Sequence, residues 1–179
     1  MMNNDIKEIL ISEEEIIKRS KEIGTQISKD YAGRTPILIA LLKGSVPFMS
    51  ELMKHIYIDM EIEFMDVSSY SGTHSTGEVK INKDLDRSIK GCDVIIVEDI
   101  VDTGRTLKTV INLLYSKGAN SVKVVSLLNK EEKRVCDVKA DYVGFEIPDK
   151  FVIGFGLDFN QKYRNLPYVG VLKEECYKE

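Results

Sequence analysis

Two periods of apolar residues alternate along this chain. Val94, Ile95, Ile96 and Val97 form a β-branched run with no polar break, the pattern of a strand buried on both faces of a parallel sheet. From Leu107 the apolar residues recur at Val110, Ile111, Leu113 and Leu114, a helical spacing that Gly118 stops. Residues 36–42 repeat the plan: a second apolar strand, then Lys43-Gly44-Ser45, then a helix carrying Phe48, Leu52, Met53 and Ile56. Upstream, Ser12 with Glu15 reads as a capping box, opening a helix lined by Ile16, Ile23 and Ile27 that ends near Gly33.

The remaining segments read mostly as strands. Ile58, Met60, Ile62 and Phe64 alternate with Asp59, Glu61 and Glu63, which predicts a strand with one buried face. From Ser68 the chain becomes small and polar, a loop long enough to serve as a lid. A short strand follows at residues 79–81, and Lys90-Gly91-Cys92-Asp93 turns into the central run. Residues 121–128, 142–147 and 167–172 read as further strands. The succession predicts an α/β domain with a parallel sheet flanked by helices.

Composition narrows the class. A chain of 179 residues with 43% hydrophobic and 30% charged residues reads as one soluble globular domain. Its net charge of −4 provides no electrostatic footprint for nucleic acid. Cys92, Cys136 and Cys176 are odd in number and widely spaced, so they read as reduced thiols of a cytoplasmic protein rather than a disulfide or metal framework. Residues 1–8 lack the apolar core of a signal peptide, and no apolar run approaches the roughly 18 residues of a membrane span. His55 and His74 are too far apart to read as a metal pair.

The chemistry concentrates after the central strand. Glu98 and Asp99 follow at once, then Asp102, Thr103, Gly104, Arg105 and Thr106 lead into the helix. Ligands of open α/β sheets sit beyond the carboxyl ends of the strands. Free N–H groups at a helix start bind phosphate, Gly104 allows close backbone approach, and Thr103 and Thr106 add hydroxyl donors. Glu98 and Asp99 are hard oxygen ligands suited to Mg²⁺ and to sugar hydroxyls. Asp102 stands where a proton acceptor acts. A sugar phosphate held with a metal is the natural ligand of such a turn.

A bland alternative is that the acidic turn only complements the helix dipole. Asp-Thr-Gly is also the core triplet of aspartic proteases, but those are all-β proteins, whereas this triplet opens a helix. A P-loop signature is absent from the sequence.

This stretch resembles the phosphoribosyl-diphosphate (PRPP) signature of the type I phosphoribosyltransferases, in particular their hypoxanthine-guanine branch. Further matching segments occur in the same order over residues 36–172: Leu42-Lys43-Gly44, Ser69-Tyr70, Ser75-Thr76-Gly77 with Lys80, Lys130, Pro148 to Val152, Leu157 to Asn160, and Tyr163-Arg164. Ser45 departs mildly, because relatives often carry a second glycine there.

The resemblance implies a Rossmann-like core at about residues 34–147, with a small hood formed by the N-terminal segment and about residues 148–179. It implies transfer of 5-phosphoribosyl from PRPP to N9 of a 6-oxopurine, with Mg²⁺ as cofactor, and a homodimer or homotetramer. Lys43, Gly44 and Arg164 would hold pyrophosphate, the peptide before Lys43 often being cis, and Ser69 and Tyr70 would belong to the lid. Glu98, Asp99, Asp102, Thr103, Gly104, Arg105 and Thr106 would hold ribose phosphate, with Asp102 catalytic. Lys130 would bond the 6-oxo group, Phe151 would stack on the base, and the Val152 backbone would read its edge. Asp158 would hold a second Mg²⁺ beside the base, the first lying at Glu98 and Asp99. Two rivals share the scaffold: a PRPP-sensing regulator, and a family enzyme using xanthine, adenine or a pyrimidine. The Lys130 and Phe151 segments argue against the last two bases.

Overall fold

The computed structural model describes residues 2–69 and 79–177. Strands and helices run in the order β1 (Ile6–Ile11), α1 (Glu13–Asp30), β2 (Ile37–Leu42), α2 (Val46–Met53), β3 (Glu61–Ser69), β4 (Val79–Lys83), β5 (Asp93–Val101), α3 (Arg105–Ser116), β6 (Ser121–Asn129), β7 (Tyr142–Glu146), β8 (Val152–Ile153) and β9 (Val169–Leu172). One sheet has the order β4-β3-β2-β5-β6-β7, the other β1-β9-β8. In the large sheet β3, β2, β5, β6 and β7 are parallel. Only β4, at the edge, runs antiparallel.

The apolar runs are unbroken because both faces of this sheet are covered. Leu38 and Ala40 of β2 pack with Ile16 and Ile27 of α1 and Phe48 and Leu52 of α2. Ile37, Ile39 and Leu41 point the other way, into a cluster with Leu107, Val110 and Leu114 of α3. In β5, Ile95 and Val97 join the first cluster and Val94 and Ile96 the second. At roughly 1.5–3 kcal/mol for each buried aliphatic side chain, these layers fix the register of the two strands that carry the candidate turns.

The capping box of α1 is present: Ser12 Oγ accepts from Glu15 N at 3.3 Å, and Glu15 Oε2 accepts from Ser12 N at 2.8 Å. The helix stops at Asp30, and Gly33 (φ +75°) lies in the turn beyond it. Helix α2 is shorter than its apolar spacing suggests, because it ends at Met53 and Ile56 is buried from the segment after it.

Strand β3 departs from the expectation. Ile58 and Met60 precede it, Ile62 is 45% exposed, and the fully buried residue is Met65, of opposite parity. Phe64 packs in the α1/α2 layer and Met65 in the α3 layer, so β3 has two apolar faces toward its carboxyl end rather than one along its length.

The smaller sheet joins distant parts of the chain. β9 lies between β1 and β8, with Ile6 opposite Leu172 and Ile11 opposite Val169. Strand β1 has no clear apolar pattern: only Ile11 is buried, and Lys7, Glu8 and Ile9 are exposed.

Candidate functional site

The candidate turn sits at the carboxyl end of β5. The strand is longer than the apolar run, continuing through Glu98 and Asp99 to Val101. The two carboxylates therefore lie in the last part of the strand, and the turn itself is Asp102–Gly104. Ladder pairing accounts for the difference, since Glu98, Ile100 and Val101 are in register with Ser126, Leu128 and Asn129 of β6. Gly104 adopts φ +81°, a left-handed conformation that glycine takes without strain, and caps α3 with no side-chain hydrogen bond. The first N–H groups of α3, which include those of Arg105 and Thr106, are thus left without a side-chain cap, as an anion site requires. A cavity of about 120 Å³ is lined by Glu98, Asp102, Thr103, Gly104 and Thr106 among others.

The turn is held from outside. Thr103 O accepts from Val135 N at 3.1 Å, and Val101 O accepts from Lys130 N at 3.0 Å. Asp102 Oδ1 is buried and has no hydrogen-bond partner among the described residues. A carboxylate oxygen in that position is an open acceptor.

Glu98 and Asp99 share an unfavourable environment for charge. Burial pushes the Glu98 carboxyl well above its ordinary range, and the neighbouring Asp99 charge adds to this. Burial also pushes the Asp99 carboxyl up to about 6, against the pull of the Ile100 N–H on its Oδ1 at 2.7 Å and of the Arg164 charge.

A second turn, after β2, closes on the same carboxylate. The Leu42–Lys43 peptide is cis, and Lys43 is exposed. Gly44 is buried so tightly that a Cβ there would lie 1.7 Å from Asp99 Oδ2. The Gly44 carbonyl in turn abuts Gly156, where a Cβ would lie 1.9 Å from Gly44 O. Gly156 exchanges two hydrogen bonds with Arg164: its carbonyl accepts from Nη1 at 2.7 Å and its N–H donates to Arg164 O at 2.9 Å. Arg164 Nη2 lies 2.8 Å from Asp158 Oδ1, and Asp158 Oδ2 accepts from Gln161 N at 2.8 Å. Asp99, Gly44, Gly156, Arg164 and Asp158 thus form one continuous chain of contacts.

The third part lies at the end of β6. Lys130 precedes the charge run of residues 131–134, where a surface lysine is the alternative reading, yet it is buried. Its Nζ donates to Lys150 O at 2.8 Å and to Asp149 Oδ1 at 3.4 Å. The next residue, Phe151, stacks on Tyr177 at 4.8 Å and meets the edge of Phe159 at 5.7 Å. The residue is 39% exposed although its ring is stacked on Tyr177. Val152 is buried in β8.

The structure therefore brings together Gly44, Glu98, Asp99, Asp102, Gly104, Arg164 and Asp158, and places Lys130 and Phe151 beside the Asp102 turn through the Lys130–Val101 backbone bond. Ser69 ends β3, and Lys80 is exposed on β4. Tyr70, Ser75, Thr76 and Gly77 lie outside the described residues. Two residues were not singled out from sequence. Asp149, although inside the Pro-Asp-Lys-Phe-Val motif, carried no assigned role. Arg134 donates to Val138 O at 3.1 Å, bonds the Asn129 side chain and packs beneath Gly104. Its position in the charge run of residues 131–134 hid it.

Comparison with known proteins gives a consistent picture. The family described as "Phosphoribosyl transferase domain" matches residues 6–160. A hypoxanthine-guanine phosphoribosyltransferase of Streptococcus agalactiae is 58% identical, and one of Streptococcus mutans 57%, each over 100% of both chains. A crystal structure of a hypoxanthine phosphoribosyltransferase from Staphylococcus aureus superposes with a TM-score of 0.97 at 52% identity, covering 99% of this chain and 97% of that one.

Proposed function

Because the chain belongs to the phosphoribosyl transferase family, among its hypoxanthine-guanine phosphoribosyltransferases, we propose that it transfers 5-phosphoribosyl from PRPP to N9 of hypoxanthine or guanine. The products are the purine nucleotide and pyrophosphate, a purine-salvage reaction. The observation that carries this reading is the meeting of three turns: the uncapped start of α3 with the open Asp102 acceptor, the Gly44 turn against Asp99, and Lys130 beside Phe151.

The chemistry follows from charge. As the bond from ribose C1 to pyrophosphate breaks and N9 attacks, the ribose ring gains positive character and the leaving group gains negative charge. The N–H groups and hydroxyls of Thr103, Gly104, Arg105 and Thr106 take the 5-phosphate. Glu98 and Asp99 accept from the ribose hydroxyls. Lys43, the Gly44 backbone and Arg164 hold pyrophosphate and stabilise its charge as it departs. Asp102 accepts the proton that the purine loses, at N7. Phe151 stacks on the purine, Lys130 donates to its 6-oxo group, and the Val152 backbone meets its edge.

Glu98 and Asp99 would hold one Mg²⁺, and Asp158 a second. A cation at Glu98 and Asp99 would relieve the penalty that desolvation and proximity impose on the two neighbouring carboxylates. Magnesium binds through one or two carboxylates together with substrate phosphates, and it supplies charge neutralisation to the pyrophosphate when bound.

Residues 34–147 are read as the core, joined by α1, which packs on β2 and α2, and the β1-β9-β8 sheet with its flanking turns is read as a hood over the base. The lid is assigned to Ser69 and Tyr70. Three free cysteines fit a cytoplasmic location. Assembly as a homodimer or homotetramer is part of the same reading.

The test is pyrophosphate release from PRPP and Mg²⁺ with hypoxanthine, guanine, xanthine and adenine offered separately. Turnover with hypoxanthine or guanine is expected. Silence with both overturns the proposal.

A further inference from the structure

We propose that Asp149 is a positioning residue for base selection: its carboxylate, shared between Lys130 and Lys133, aims the Lys130 ammonium so that one N–H is left for an oxygen on the substrate ring. The proposal deepens the reading above and rests on Lys130 being the base contact.

An ammonium group carries three donors and no acceptor. In Lys130 one donates to Lys150 O at 2.8 Å and a second to Asp149 Oδ1 at 3.4 Å. The side chain of Lys130 is only 9% exposed, so water offers few competing orientations. With two donors held by Asp149 and Lys150, the direction of the third is set as well. It can satisfy an oxo oxygen, but it meets an exocyclic amino group donor to donor, which selects against that base.

Asp149 and Lys150 both lie in the link between β7 and β8, immediately before Phe151. The same short link therefore orients the ammonium and carries the exposed ring, so the polar and flat parts of a base pocket are built as one piece. Lys133 Nζ reaches the same Asp149 oxygen at 2.9 Å, closer than Lys130 does. Lys133 anchors the carboxylate from the solvent side, and both lysines hold that carboxyl below its usual range.

The experiment compares Asp149→Ala, Asp149→Asn, Asp149→Glu, Lys130→Ala and the double variant Asp149→Ala/Lys130→Ala. Each is assayed as the full chain with PRPP and Mg²⁺, using hypoxanthine and adenine. Asp149→Ala is expected to raise the KM for hypoxanthine about tenfold, the scale of a hydrogen bond to a charged group, while the KM for PRPP stays within about twofold. Asp149→Asn, which keeps the shape and drops the charge, shifts it in the same direction, and Asp149→Glu restores most of the loss. The double variant matches Lys130→Ala, because with the ammonium gone there is nothing left to aim.

An unchanged hypoxanthine KM in Asp149→Ala and Asp149→Asn, alongside a raised one in Lys130→Ala, overturns the role of Asp149 alone. So does full additivity in the double variant, or an equal rise in the KM for PRPP, which marks a merely structural effect. An unchanged KM in Lys130→Ala itself overturns the underlying reading of the base contact.

Discussion

Gly44, in the turn after β2, and Asp99, in the last part of the adjacent parallel strand β5, touch so closely that residue 44 has no room for a side chain. A Cβ at position 44 would lie 1.7 Å from Asp99 Oδ2 and 2.7 Å from its Cγ. The Asp99 side chain is packed against the backbone of the neighbouring turn, so a side chain at position 44 must displace its carboxylate. Gly44→Ala is therefore expected to displace Asp99 and lower kcat/KM for PRPP by about 10²-fold, the cost of an ångström-scale misplacement. Steady-state kinetics checks this, and activity within twofold of the parent would show that the contact is slack.

Asp102 is the open acceptor of the site, with Oδ1 buried and unpartnered among the described residues. Asp102→Asn keeps the shape of the turn and removes the proposed proton acceptor. Turnover is expected to fall by about 10²- to 10⁴-fold, with PRPP affinity nearly intact. Titration calorimetry with PRPP, beside kcat, separates the two effects. An unchanged kcat removes Asp102 from the proton transfer.

Asp99 also links the site to stability. Its carboxyl is raised to about 6 by burial, so the folded state holds a proton there that the unfolded chain releases near pH 4. Across that window the native state binds more protons, and stability falls as pH rises. The ligand-free protein is expected to melt lower at about pH 7.5 than at about pH 5, and Asp99→Asn to raise the melting temperature at the higher pH by about 3 °C while abolishing efficient turnover. Scanning calorimetry at the two pH values decides it; a melting temperature that climbs from pH 5 to 7.5 contradicts the assignment.

What was legible in the sequence was what short-range pattern encodes. The runs at β2 and β5 read correctly because strands buried on both faces show no polar break, and the capping box of α1 is a purely local signal. β3 was misread because its apolar residues serve different partners: Phe64 packs on the α1/α2 side, Met65 on the α3 side, and Ile62 stands exposed. β1 escaped notice because it buries only Ile11 and is held by pairing with a strand almost the whole chain away. The acidic turn and the lysines were visible as residue types at fixed spacings. The contacts that join them, Asp99 with Gly44 and Asp149 with Lys130, span stretches of sequence that no local pattern encodes, and the Arg164–Gly156 bond depends on the turn between the two residues.

The pairing of β1 with β9 has a consequence for synthesis. Ile11 finds its partner only at Val169, and Tyr163 and Lys173 both bond Asp5 from the same distant end. On the ribosome, β2, β5 and β6 can already pair while β1 still waits, a bare edge without its neighbour. The exposed Lys7 and Glu8 on that waiting strand are the charges that discourage a stray strand from pairing there first. The small sheet that carries Val152, just after Phe151, is thus completed only when residues 169–172 have been made, although Lys130 already stands at the end of β6.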